Sequence, residues 1–246
     1  MSFPDAALAI FLLGTLAAAF VTSLSGFAFA LVALAIWLHA LTPSQATPLV
    51  AAYALLVQGH AVWKLRHALS ARRLAPFILG SALGVFPGVA AVQWVSPTGL
   101  RVAVGALLIL FSLYNLVRPK LLDFKHAGRA ADTGIGFLNG LLGGSTGLAG
   151  ILVVIWSSLK GWPAHEQRAV FQPTGVATFL ITILALGGTG IITLETGRLF
   201  LIGLPALAAG TWLGWTLYGR LDEASFRRVV LVLLLMSGFA LVAVAR

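Results

Sequence analysis

Two short runs of hydroxyl residues and glycine stand out among apolar neighbours. The first is Thr22-Ser23-Leu24-Ser25-Gly26-Phe27 and the second is Gly143-Gly144-Ser145-Thr146-Gly147. A Ser/Thr-Gly run between two short apolar stretches reads as a helix break with a capping residue. The half-helix that follows presents unsatisfied N–H groups and the positive end of its dipole. Such an end holds an anion without any basic side chain. The hydroxyls of Ser23, Ser25, Ser145 and Thr146 would add donors, with Gly26 and Gly147 letting the chain turn. The competing explanation is that small residues let helices pack closely.

Further along lie Gln172, Thr174, Thr178 and Thr182. The threonines recur every four residues and share one helix face. A hydroxyl stripe with Gln172 can line a cavity, or the threonines can bond back to their own carbonyls. Arg168 is the cation nearest to this segment and can attract an anion at an inner entrance, or simply set topology. Gln58 and His60 precede a basic loop, and His60 reads as interfacial. Asn115 and Asn139 read as cross-helix hydrogen-bonding residues with a structural role.

Other chemistries lack their residues. There is no cysteine, hence no disulfide, thiolate metal site or Cys nucleophile. No HExxH and no pair of deep aspartates is present, so an intramembrane hydrolase is not expected, nor is a cofactor or metal. Proton and cation carriers usually keep a carboxylate at membrane depth, and here no charged residue lies deep inside an apolar segment.

The elements that must position these residues follow from composition. Of 246 residues, 59% are hydrophobic and 9% charged, with a mean hydropathy of +0.99. Soluble domains are about 25% charged, so a soluble enzyme and a disordered chain are both excluded. Ten apolar segments appear, at roughly 6–22, 26–41, 45–63, 74–95, 101–118, 132–144, 147–160, 165–187, 198–217 and 226–245. The third, fourth, fifth, eighth, ninth and tenth are long enough to span a bilayer. The first two and the sixth and seventh are short or interrupted, either tilted short helices or re-entrant hairpins. The expected fold is therefore all-α, a polytopic membrane protein with 8–10 transmembrane helices.

The net charge of +9 would suggest nucleic acid in a soluble protein. Here the charges sit in short loops and read as orientation signals, and no nucleic-acid partner is expected. With the N-terminus outside, thirteen of the 16 Lys and Arg fall inside. They are Lys64, Arg66, Arg72 and Arg73, then Arg118, Lys120, Lys125 and Arg129, then Lys160 and Arg168, then Arg220, Arg227 and Arg228. Only Arg101, Arg198 and Arg246 fall outside. Both termini are expected on the non-cytoplasmic side.

The halves resemble each other. Gly26 matches Gly147, Pro43 matches Pro163, and Gln45 matches Gln167. Gly84, Gly88 and Arg101 match Gly210, Gly214 and Arg227. Five segments per half make the repeats inverted, a transporter signature with its site near the midplane. The expected divisions are 1–118 and 132–246 as membrane repeats, with 119–131 as a basic cytoplasmic linker.

The stretch from Gly140 to Gly150, then Lys160-Gly-Trp-Pro163 and Glu166-Gln-Arg168, resembles the sulfite exporter TauE/SafE family of anion permeases over the whole chain. The family's frequent Gly triplet is replaced in the first half by Ser25-Gly26-Phe27-Ala28, and Ile151-Leu152 stand where a Pro often follows the second break. The resemblance implies export of a small sulfur-containing anion, sulfite or an organosulfonate such as sulfoacetate, across a bacterial inner membrane. It does not choose among these anions. It implies a transporter, not an enzyme, whose partners are a small anionic substrate and the lipid bilayer. A homodimer is compatible with a carrier of this size. The alternatives are a cation or neutral-solute transporter on the same plan, and a non-transport membrane protein.

Overall fold

The computed structural model describes residues 5–26, 28–65, 70–92, 96–117, 124, 127–217 and 223–244. Among them are ten α-helices and no strands: α1 Asp5–Ser25, α2 Phe29–Trp37, α3 Pro43–Leu65, α4 Ala71–Val92, α5 Pro97–Val117, α6 Arg129–Thr146, α7 Ile151–Leu159, α8 Ala164–Gly187, α9 Leu194–Leu217 and α10 Glu223–Val244. Each answers one apolar segment of the sequence. In hydrocarbon every backbone polar group must be satisfied within the segment, which leaves helices as the available form for such runs.

The helices α1, α4, α5, α8 and α9 are each long and apolar enough to cross a membrane. The first segment is longer than its apolar core suggests. Hydropathy falls at Thr22, but the helix continues through Ser25 and reaches 21 residues. Likewise α6 runs to Thr146, for 18 residues. The short members of the two pairs are α2 and α7, nine residues each. Each pair is thus one long helix followed by one short one, rather than two short ones.

Two compact units emerge. The first comprises residues 1–46, 95–119 and 194–246, and the second residues 47–94 and 120–193. Each draws on both halves of the sequence. In the first, α1 packs on α9 and α2, and α5 packs on α10. In the second, α4 packs on α6 and α8, and α7 packs on α6 and α8.

Glycine sets the closest crossings. On α4, a Cβ at Gly80, Gly84 or Gly88 would collide with the carbonyl oxygens of Thr133, Phe137 and Leu141 on α6. In return, a Cβ at Gly136 or Gly140 would collide with those of Phe77 and Ser81, and one at Gly144 would stand 2.5 Å from that of Val85. Six glycines therefore interlock two backbones, an approach that any side chain prevents. The first unit repeats the device. A Cβ at Gly210 would strike the Leu16 carbonyl, and one at Gly214 would lie 2.8 Å from that of Phe20. Gly84 with Phe137 and Gly210 with Leu16 are thus equivalent crossings, as are Gly88 with Leu141 and Gly214 with Phe20. The matched glycines of the two halves do the same work in their own units.

Other matched residues also have matched contacts. The Gln45 carboxamide oxygen takes the N–H of Thr42, just before Pro43 (3.1 Å). The Gln167 carboxamide donates to the carbonyl of Trp162, just before Pro163 (2.7 Å). Arg101 donates to the carbonyl of Leu38 at the end of α2 (3.1 Å), where a cation suits the negative end of a helix. The side chain of its sequence counterpart Arg227 lies outside the described residues, as do Arg66, Arg118, Lys120, Lys125, Arg220 and Arg246.

Candidate functional site

The hydroxyls of the second break belong to the end of α6. Ser145 donates to the Leu141 carbonyl (2.7 Å) and Thr146 to that of Leu142 (2.7 Å). Thr146 Oγ1 also accepts the Leu148 N–H (3.1 Å). Gly147 then closes the helix, with φ +78° and its N–H on the Gly143 carbonyl. The first break is built alike. Thr22 and Ser23 donate to the carbonyls of Ala18 and Ala19, at 2.6 and 2.9 Å. Gly26, with φ +87°, sends its N–H to the Thr22 carbonyl (2.7 Å), and Ser25 is the part-buried last residue of α1.

The capping expected of these hydroxyls is therefore not what they do. The N-caps of α2 and α7 are Ala28 and Gly150, and neither has a side-chain cap bond. The physical reason is that each long helix continues into its hydroxyl run. A Ser or Thr inside a helix bonds most readily to the carbonyl four residues back. The protons of Ser23, Ser145 and Thr146 are committed there.

What caps α7 comes from elsewhere. The Gly150 N–H donates to Asn139 Oδ1 at 2.6 Å. Asn139 is fully buried and lies at the middle of α6, so this bond places the start of α7 beside that helix's midpoint. At 1.5 Å per residue, α6 is about 27 Å long and α7 about 14 Å. The start of α7 thus stands about half a membrane's depth from its far end. The N–H groups of Ile151, Leu152 and Val153, in its first turn, have no helix carbonyl ahead of them. They and the helix dipole make an electropositive spot without a basic side chain.

Helix α8 faces this spot. A Cβ on Gly150 would lie 3.9 Å from the Phe171 carbonyl, and one on Gly143 would lie 2.6 Å from Thr178 Cγ2. Thr174 falls between Phe171 and Thr178 on the same face. The threonine stripe divides in its bonding. Thr178 donates to its own helix at the Thr174 carbonyl (2.7 Å). Thr174 Oγ1 and Thr182 Oγ1 are buried with no hydrogen-bond partner. A buried hydroxyl without a partner is costly, and Thr174 is fully enclosed. Gln172 is buried too. Gln58 of α3 reaches the same helix, its Oε1 lying 3.4 Å from where a Gly175 Cβ would be. Arg168 is half-buried one turn earlier, and His60 is exposed. Asn115 bonds within its own helix, to the Phe111 carbonyl (2.8 Å).

Ser145, Thr146, Gly147, Gln172 and Thr174 all belong to the second unit. Ser23, Ser25 and Gly26 lie at the corresponding turn of the other unit. No group of three or more metal-binding side chains occurs among the described residues.

One charged cluster escaped the sequence reading. Lys160, at the end of α7, bonds Asp132 of α6 at 2.8 and 3.0 Å. Trp156 Nε1 donates to the same carboxylate at 2.7 Å. The Lys160 ammonium also lies over the Trp162 ring, 5.1 Å from its centroid. Beside it Arg73 pairs with Glu166. In sequence Lys160 reads as a loop charge, because its partner stands 28 residues away, beyond any local pattern. The first unit has an apolar counterpart, where Trp37 Nε1 donates to the Phe11 carbonyl (3.1 Å). Phe11 and Asp132 are as far apart in sequence as Gly26 and Gly147.

The model of the sulfite exporter TauE/SafE family matches residues 10–241, nearly the whole chain. The chain belongs to the sulfite exporter TauE/SafE family. This TauE/SafE protein is therefore a multi-pass membrane protein of a transporter family. No curated protein and no solved structure matches it.

Proposed function

We propose that this TauE/SafE protein is a permease that moves a small sulfur-containing anion, sulfite or an organosulfonate such as sulfoacetate, out of a bacterial cytoplasm. The anion sits against the first-turn N–H groups of α7, on the Thr174 side of α8. The observation that carries this reading is the buried, unpartnered hydroxyl of Thr174, one turn along α8 from the Phe171 carbonyl that lies near Gly150. An oxyanion supplies the acceptor which that hydroxyl lacks, and the α7 dipole offsets its charge.

In this reading the repeats are inverted and alternate access to the substrate, with both termini outside and Arg168 near the inner entrance. An inside-negative potential of about 100 mV favours exit of a monoanion by about 2.3 kcal/mol. Export then needs no coupling carboxylate, and the protein performs transport without catalysis.

The test is counterflow of labelled sulfite and of labelled sulfoacetate in proteoliposomes, comparing wild type with Thr174→Val. Valine keeps the shape and removes the hydroxyl. Loss of about 1 kcal/mol of binding raises KM about fivefold. Saturable flux with that rise supports the site, and the better substrate names the anion. Saturable flux with an unchanged KM places the site elsewhere. Absence of flux for both compounds overturns the substrate class.

A further inference from the structure

The two breaks have the same backbone plan and different chemistry. At the position corresponding to Asn139, counting by the spacing between Gly26 and Gly147, the first half has Ala18. Where the second break has Gly150 as N-cap, with φ +95°, the first has Ala28. The second break holds its short helix by a buried carboxamide, where the first half has an alanine.

That carboxamide has one orientation. Its oxygen receives the Gly150 N–H at 2.6 Å. Its nitrogen reaches Ser81 Oγ on α4 (3.3 Å) and Thr178 Oγ1 on α8 (3.4 Å). Both hydroxyls have already given their protons away, Ser81 to the Gly136 carbonyl (3.0 Å) and Thr178 to the Thr174 carbonyl (2.7 Å). They can only accept from Asn139. A flipped amide would set its NH2 against the Gly150 N–H and its oxygen against two lone pairs. The side chain therefore ties three helices to the N-cap residue of α7, one position before its first-turn N–H groups.

We infer that Asn139 is a positioning residue for the anion, aiming the start of α7 at the Thr174 face, and that the second repeat supplies the polar half of substrate recognition. This rests on the proposed binding of the anion at the start of α7. Asn139 does not touch the anion. It accepts the Gly150 N–H and so leaves the next three N–H groups directed at the substrate. Its neutrality matters as well, since a carboxylate at this place would stand within one helical turn of the bound charge.

The experiment measures KM and maximal rate for sulfite counterflow, and thermal unfolding in detergent, for Asn139→Ala, Asn139→Asp, Thr178→Val and Thr174→Val. Asn139→Ala loosens the cap and raises KM about threefold. Asn139→Asp keeps an acceptor for Gly150 but adds a negative charge, and raises KM about tenfold or more. The maximal rate stays within about twofold in both. A larger effect of Asp than of Ala is the signature that a purely structural asparagine would not give. Thr178→Val removes one of the two acceptors and shifts KM in the same direction, which keeps the test open if a change at Asn139 prevents folding. If Thr174→Val raises KM while Thr178→Val and both Asn139 variants leave it unchanged, the positioning role is overturned and the site stands. If all four leave KM unchanged, the site falls with it. If the Asn139 variants only lower the unfolding temperature, with KM intact, Asn139 is structural and the inference is wrong.

Discussion

Lys160 Nζ lies 2.8 Å from Asp132 Oδ1, joining the end of α7 to the first turn of α6, with 8% of Lys160 and 7% of Asp132 exposed. Together with the Asn139–Gly150 bond, this pair fastens the α6–α7 hairpin at two levels. Removing one member of a buried pair leaves an uncompensated charge, at a cost of about 3–5 kcal/mol. Asp132→Asn and Lys160→Met are each expected to lower the unfolding temperature in detergent markedly. The double variant Asp132→Asn with Lys160→Met is expected to lose clearly less than the sum of the two single losses. A double variant that unfolds at the sum of the two single losses would show that the residues act independently.

The α4–α6 crossing makes a second expectation. Gly140→Ala drives a Cβ into the Ser81 backbone, and Gly210→Ala does the same at Leu16 in the other unit. Backbone cannot swing aside as a side chain can, so each is expected to cost about 1–3 kcal/mol or more. Gly59→Ala is the control, because no atom lies within 4 Å of its Cβ. Within a helix that change is expected to be neutral or stabilising by up to about 1 kcal/mol. Equal unfolding temperatures for all three variants would sink the close-crossing argument.

The hydroxyls at the end of α6 are expected to be silent in transport. Ser145→Ala removes a bond to the residue's own helix, and KM should stay within about twofold. Thr146→Ala also frees the Leu148 N–H and should cost about 0.5–1.5 kcal/mol of stability, again without changing KM. A large KM rise in Ser145→Ala would mean that its proton turns from the helix to the substrate during transport.

The driving force can be read directly. Efflux from proteoliposomes is expected to accelerate when a potential negative on the loaded side is imposed, by up to about 2.3 kcal/mol per 100 mV for a monoanion. Efflux that ignores the potential and follows an imposed proton gradient would require a titratable partner in the cycle.

Much of the architecture was written locally. Ten apolar runs in a chain with 9% charged residues could only be helices in a bilayer. The two Ser/Thr-Gly runs marked where helices end, because glycine alone enters positive φ without strain. The matched glycines of the two halves were visible as spacing, before any crossing was known. Helix ends were less legible: the apolar runs stopped at Thr22 and Gly144, while hydrogen bonding carried α1 and α6 to Ser25 and Thr146.

Composition and periodicity thus determined that this protein is an all-helical, multi-pass membrane protein. The tertiary structure decided the chemistry at the break. It turned the hydroxyls of Ser145 and Thr146 back onto α6, left Thr174 without a partner, set Asn139 on Gly150 and joined Asp132 to Lys160. The physical reason is range. Helix formation and burial in lipid depend on neighbours within a few turns. A hydrogen bond's partner is chosen among groups brought together from distant segments, and nothing in the local sequence records which of them will arrive.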